Sequence, residues 1–304
     1  MHSDRILRRA ATSSNISAES GPSHLKLLPS QRRLHHAIQA GLEGQHTNDV
    51  ARLQNRLPNF IIIGAAKSAT TTLTTILPRH PQLFISKPKE PKFFGRRYDK
   101  GWEWYARLFR RARPRQLRGE ASTMYSSALL SYEHAPALMH RYLPGLKLIY
   151  IVRDPLERAI SQWRHRKGRQ QKTADFSHVM HSRHLRRLIV GCSLYHQRLE
   201  AFRRFYPDDQ IHCILFEDLI KQPRATLKST LTFLGVKSNR QILNQLLEEG
   251  QLPRVNEAGD KGRLPVDKPA WEPQAREAAL KLIRPDAERM LAYLKRPSST
   301  WKLD

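Results

Sequence analysis

The sequence predicts an α/β protein, a three-layer α/β/α sandwich around a central parallel sheet. Three observations lead there. Apolar, β-branched runs at Phe60–Ile63 and Leu146–Val152, with a third at Ile211–Phe216, are what strands buried on both faces require. Helical spacing follows each run, so strands and helices alternate. At 304 residues the chain is long enough for one large domain of this kind or two small ones.

In chain order, residues 1–57 read as a flexible N-terminal extension, polar and rich in Ser, His and Arg. Within it, Leu34, Ile38 and Leu42 stand at helical spacing, so Ser30–Gly44 predicts a short amphipathic helix. The folded region starts near Leu57-Pro58 and runs to residue 304. Ser68–Ile76 predicts a helix stopped by Pro78, Leu83–Ile85 a short strand, and Trp102–Arg111 a helix. Leu117–Ala121 leads into a loop, and Ser131–Leu143 is helical but irregular near Pro136. Leu156–Arg166 predicts a helix, and the stripe Leu185, Leu188, Cys192, Tyr195, Leu199 and Phe202 predicts one long helix over Arg183–Phe205. Pro223–Leu234 and Asn239–Leu247 are helical, Gly250–Pro269 is a loop, and helices over Gln274–Ile283 and Pro285–Leu294 close the chain.

The net charge is +26, from 53 Lys and Arg against 27 Asp and Glu. An excess of that size suits an anionic partner. It is concentrated: residues 96–118 hold nine basic residues against two acids, and residues 153–198 hold eleven against three. With only Cys192 and Cys213, neither a disulfide framework nor a cysteine zinc site is expected. No run of 18 apolar residues predicts a membrane span. The N-terminus lacks a signal-peptide core, although its Arg-rich, acid-poor start has the composition of an organelle transit peptide.

Two segments carry phosphate chemistry. In "FIIIGAAKSATTTL", Gly64 ends a strand and Ala65, Lys67, Ser68, Ala69, Thr70 and Thr71 open a helix. Backbone N–H groups at a helix start attract anions, and Lys67 and the hydroxyls add donors. The loop is P-loop-like without being a Walker A loop, because Lys67 follows Gly64 too soon and no Walker B acid for magnesium appears. In "IVRDPLERAISQW", Arg153 stands at a strand's carboxyl end, where ligands of open α/β sheets bind. Asp154, Pro155 and Glu157 form a helix start, and Ser161 lies two turns in. Two such sites imply a ligand phosphorylated at two separated places.

Together these segments resemble the sulfotransferases that use 3′-phosphoadenosine 5′-phosphosulfate (PAPS), above all the heparan-sulfate-type branch and its bacterial relatives. "GAAKSATTTL" resembles the 5′-phosphosulfate loop, and "IVRDPLERAISQW" the 3′-phosphate motif. "KEPKFFGR" resembles the segment that carries the base, and "GEASTMY" the family's Gly-Glu-x-Ser-Pro-x-Tyr with Thr123 in place of proline. "KGR", Lys261-Gly262-Arg263, is similar to the late loop that closes over the adenosine phosphates. The resemblance runs from about Pro58 to Trp301.

The resemblance implies a sulfotransferase domain over residues 58–304, with PAPS as sulfuryl donor, PAP as product and no required metal. It implies in-line transfer to an acceptor hydroxyl or amine. Lys67 would neutralise charge on the leaving phosphate, and Glu90 would serve as general base, with Glu120 second to it and the histidines below both. The basic segments would line a cleft for an acidic glycan acceptor. The paired-cysteine loop of many heparan-type members is missing, which points to a reducing, cytoplasmic compartment. Two other readings stand beside this one. A P-loop kinase would need a complete Walker loop and a metal-binding acid. A basic nucleic-acid-binding protein would use Arg107–Arg118 and Arg164–Arg187 along a phosphate backbone, but no zinc finger, RRM or helix-turn-helix pattern supports it.

Overall fold

Five parallel strands form the sheet: β1 (Phe60–Gly64), β2 (Leu83–Ile85), β3 (Leu117–Ala121), β4 (Lys147–Val152) and β5 (Ile211–Leu215). Their order is β2-β3-β1-β4-β5. The computed structural model describes residues 28–170, 173–253 and 264–303. Alternate side chains of the central strands enter two cores, one on each face. Ile61 and Ile63 of β1 join Leu148, Tyr150 and Val152 of β4 in one, while Phe60, Ile62, Ile149 and Ile151 enter the other. Burial on both faces explains why these strands read as unbroken apolar runs.

The helices are α1 (Pro29–Leu42), α2 (Thr47–Leu53), α3 (Thr70–Ile76), α4 (Trp102–Arg107), α5 (Ala135–Tyr142) and α6 (Pro155–Gly168). They continue with α7 (Arg183–Ile189), α8 (Tyr195–Arg203), α9 (Phe216–Lys221), α10 (Pro223–Leu234), α11 (Arg240–Leu246) and α12 (Pro273–Tyr293). Leu73 and Ile76 of α3, Leu227, Leu231 and Leu234 of α10, and Leu243 of α11 cover the Phe60 face. Helices α2, α4 to α8 and α12 supply the opposite core. This is the expected three-layer sandwich. Among the described residues, no helix is long and apolar enough to cross a membrane.

Three expectations need correction. The long helix over Arg183–Phe205 is broken into α7, a 3-10 turn at Gly191–Ser193, and α8. At the break, the buried Arg158 side chain binds the Ile189 carbonyl and Ser193 Oγ, and Gly191 sits so close to Ala128 that an added Cβ would lie 3.2 Å from it. The two closing helices are one, α12, with Pro285 inside. An internal proline costs about 3 kcal/mol. Burial of Ile283, Ala287, Met290 and Leu291 along the same helix offsets it, and Asp286 accepts hydrogen bonds from the backbone N–H groups of His196 and Gln197 at 3.0 and 2.8 Å.

The third correction concerns the N-terminal extension. Residues 28–57 are packed on the domain rather than free. Tyr142 Oη donates to the Gly41 carbonyl at 2.8 Å, and Gly41 leaves no room for a Cβ beside Tyr98. Val50, Leu53 and Leu57 are buried in the core, and Arg33 and Arg52 pair with Asp99 and Glu103. Burying a Val or Leu contributes about 1.5–3 kcal/mol. Deleting residues 1–53, which removes Val50 and Leu53, is therefore expected to lower unfolding free energy by at least about 3 kcal/mol in denaturant titration. An unchanged midpoint would mean that these helices dock passively.

Candidate active site

The chain leaves β1 toward β2 on one side of the sheet and leaves β4 toward β5 on the other. The carboxyl ends of the adjacent strands β1 and β4 therefore form a topological switch point, where open α/β sheets bind ligands. Both phosphate-type segments lie there. Ala65 N donates to the Ile151 carbonyl at 2.7 Å, so the loop leaves β1 against the end of β4. Lys67 and Ala69 adopt left-handed backbone, at φ 73° and 59°, and fold the loop tightly before α3. The helix expected from Ser68 accordingly begins at Thr70. Gly64 is required by a close approach: a Cβ there would lie 1.9 Å from Ser126 Oγ, on the loop after β3.

Arg153 bridges the two segments. Its Nη1 donates to the Lys67 carbonyl at 3.3 Å, and its guanidinium stacks 4.6 Å from the Phe216 ring centre. Glu157 lies 3.9 Å away, at the weak end of ion pairing. The Asp154 carboxylate caps α6 through the N–H groups of Leu156 and Glu157, each at 2.9 Å. Ser161 is half-buried on α6. Each of the two loops holds a buried donor with no hydrogen-bond partner among the described residues, Ser68 Oγ in the first and Arg153 Nε in the second. Buried polar groups are rarely left unmet, so this pair fits a ligand that carries anionic oxygens at both loops.

Glu90 faces the same end of the sheet. Its N–H donates to the Ala121 carbonyl at 2.9 Å, which hangs the segment on the end of β3. Oε1 accepts from Thr123 Oγ1 at 2.9 Å and Oε2 lies 3.3 Å from Lys92 Nζ, with the side chain partly open to solvent. Thr123, which departs from the family pattern, thus supplies a hydroxyl that orients the carboxylate. Glu120 is different. It is fully buried, and its oxygens accept from Tyr105 Oη at 3.0 Å, Tyr125 Oη at 2.8 Å and Ser122 Oγ at 2.7 Å. Burial pushes its carboxyl up to about 7, against the lowering effect of those hydrogen bonds. No acceptor can touch it there. Lys261, Gly262 and Arg263 lie outside the described residues.

Two side chains at the site were not singled out from sequence. Lys89 Nζ donates to Thr71 Oγ1 at 2.7 Å, joining the Glu90 segment to the first phosphate loop. Arg158 is wholly buried and reaches the Ala66 carbonyl at 3.4 Å, bracing that loop from below. No sequence signal marked Arg158: it stands on the polar side of α6, with Asp154, Ser161, Gln162 and His165, and only the fold buries it. Among the described residues, no group of three or more His, Cys, Asp and Glu side chains is placed to hold a metal ion.

Comparison with known proteins decides the family. The model of the sulfotransferase domain matches residues 57–256. The chain belongs to the sulfotransferase family. It is 32% identical over 188 residues to the human heparan sulfate glucosamine 3-O-sulfotransferase 3B1, a match that covers 60% of this chain and 47% of that protein. It is 36% identical over 158 residues to the membrane-associated sulfotransferase kil1 of Dictyostelium discoideum, covering 49% of this chain and 32% of that protein. The sulfotransferase thus spans about half the length of the heparan-type relatives it matches. Its fold is similar to that of a sulfotransferase from Alicyclobacillus acidocaldarius, with a TM-score of 0.63, 24% identity, and coverage of 80% of this chain and 98% of that one.

Proposed function

We propose that this sulfotransferase moves a sulfuryl group from PAPS to a hydroxyl or amine of an acidic, saccharide-containing acceptor. The observation that carries the reading is the pairing of two anion-seeking loops at one switch point, tied together by Arg153 and the Lys67 carbonyl. Gly64, Ala65 and Lys67 to Thr71 would hold the 5′-phosphosulfate through backbone N–H groups, the Lys67 charge and the buried Ser68 hydroxyl. Arg153 and Ser161 would hold the 3′-phosphate, with Arg153 already oriented by Phe216. Lys261, Gly262 and Arg263 are assigned to the same nucleotide by motif alone.

When bound, PAPS supplies an activated sulfuryl group on a phosphate leaving group. The chain's own contribution is positional and electrostatic. Thr123 and Lys92 hold Glu90 at the site, where it takes the proton that the acceptor loses as its oxygen or nitrogen bonds sulfur. Lys67 neutralises charge that develops on the departing phosphate. An acidic acceptor suits the excess of basic residues in 96–118 and 153–198 and the heparan-type relatives. Domain limits of 58–304 are likewise proposed for the catalytic unit, with residues 28–57 as its support.

The direct test is transfer from PAPS to a panel of glycan, lipid and small-molecule acceptors, read by mass spectrometry for added sulfate. Sulfation of acidic saccharides is expected. Sulfate appearing only on lipids or phenols would overturn the acceptor class. The cofactor site has its own test. Arg153→Ala removes a charge-assisted contact of roughly 1.5–3 kcal/mol, so PAP affinity should weaken at least about tenfold. Calorimetry showing unchanged affinity in the folded variant would take Arg153 out of the nucleotide site.

A further inference from the structure

A second cationic site lies apart from both phosphate loops. A cavity of about 410 Å³ opens between the loop after β3, α7, α8 and α12. Its volume is in the range of small-molecule sites, roughly 300–1,000 Å³. Arg183, Arg186, Arg187 and Arg198 line it, against a single acid, Glu133. Glu133 faces His134 at 3.3 Å, and among the described residues no carboxylate pairs with any of the four arginines. Arg198 Nε is buried and has no hydrogen-bond partner among the described residues. Like charges gathered in one cavity repel, and an anion that enters relieves this.

The remaining lining is apolar. Val190 and Leu194 line it, and Leu130 and Leu282 stand at it with 62% and 47% exposure, two of five large apolar residues so exposed among the described residues. Beside the arginines, Gln197 and Glu133 are the polar side chains that could accept hydrogen bonds from ligand hydroxyls. A saccharide would ask for more acceptors, and a flat polyanion would leave the leucines in water.

We propose that this cavity binds a small organic anion with an apolar body, such as an alkyl or aryl sulfate or carboxylate. The arginines take its charged group, and Leu130, Leu194 and Leu282 cover its chain. The site has its own connection to the nucleotide loops. Ala128, which packs on Gly191, follows on the same loop as Thr123 and Ser126, and Arg158 links the Ile189 carbonyl to that of Ala66. These four arginines belong to the basic excess of residues 153–198 invoked above for an acidic acceptor, so a saccharide is the competing occupant.

The experiment is calorimetry of the full chain with decyl sulfate below its micellar concentration. The expected result is one site per chain, at least about tenfold tighter than inorganic sulfate, since a buried CH₂ group contributes about 0.8 kcal/mol. Arg187→Ala with Arg198→Ala should weaken it at least tenfold and leave PAP affinity unchanged, which also certifies the fold. Leu130→Ser with Leu282→Ser, both at exposed positions, should weaken decyl sulfate but not inorganic sulfate. The exposed pair Arg110→Ala and Arg111→Ala, which removes equal charge elsewhere, should change nothing. Many weak sites, an equal loss in that control, or equal affinity for inorganic sulfate would overturn the proposal. So would a sulfated heparin disaccharide that displaces decyl sulfate and binds more tightly, because the cavity would then be a glycan site.

Discussion

Glu90→Gln is expected to slow sulfuryl transfer by about 10²–10⁴-fold, the usual contribution of a positioned general base. The substitution keeps the size of the side chain and its hydrogen bond from Thr123, at 2.9 Å to Oε1 in the parent chain, while removing the basic oxygen. PAP affinity should barely move, because Glu90 is oriented by Thr123 and Lys92 rather than by the phosphate loops. Lys67→Ala should differ in kind. It should slow transfer and also weaken PAPS binding, since its charge acts on the ground state as well as on the transition state. The comparison is made by measuring kcat and nucleotide affinity in the same preparations. Glu120→Gln serves as the control for assignment. If Glu90→Gln stays within about threefold of the parent while Glu120→Gln abolishes turnover, Glu90 is not the base.

The loops after β1 and β4 were legible in sequence because each is local: a strand end, a turn and a helix start lie within a dozen residues. The strands were legible for a related reason: burial on both faces leaves unbroken apolar runs such as Phe60–Ile63. What escaped depends on contacts distant in sequence. The stripe from Leu185 to Phe202 has helical spacing throughout, yet Arg158, some 30 residues earlier, takes the Ile189 carbonyl and breaks it. Pro285 marks a helix boundary by local rule, but burial on either side of it holds α12 continuous. Residues 28–57 look polar, and only their docking against Tyr98, Trp102 and Tyr142 shows which few apolar side chains anchor them. Lys89 could be seen as a charge beside Glu90, but its bond to Thr71 required the fold.

Glu120→Gln is expected to abolish a pH dependence of stability worth about 3 kcal/mol in the parent chain. Glu120 is the hub of a buried network. Its carboxylate accepts from Ser122 Oγ, Tyr105 Oη and Tyr125 Oη, while Ser122 Oγ accepts from Lys92 N at 2.9 Å and Tyr125 Oη from Phe94 N at 3.2 Å. The end of β3 and the segment that carries Glu90 are thereby fastened to one side chain. Burial raises its carboxyl from an ordinary 4.5 to about 7. Between those values the folded chain keeps the proton and the unfolded chain has lost it. Stability from this group is therefore full below about 4.5, falls as pH rises, and levels off above about 7. A shift of that size corresponds to about 3 kcal/mol, at about 1.4 kcal/mol per unit. Glutamine keeps an accepting oxygen for the tyrosines and cannot ionise, so its curve should lack this fall. Denaturant titrations of parent and variant from pH 4.5 to 8 read the difference directly, because all other titrating groups are shared. Parallel curves would mean that Glu120 titrates alike in the folded and unfolded chains. Glu120→Ala should instead lower stability at every pH, since it leaves three buried hydroxyls without their acceptor, at about 1–3 kcal/mol each. Loosening of the Glu90 segment should then appear as a fall in kcat with PAP affinity retained, which separates a residue that positions the base from one that performs its chemistry.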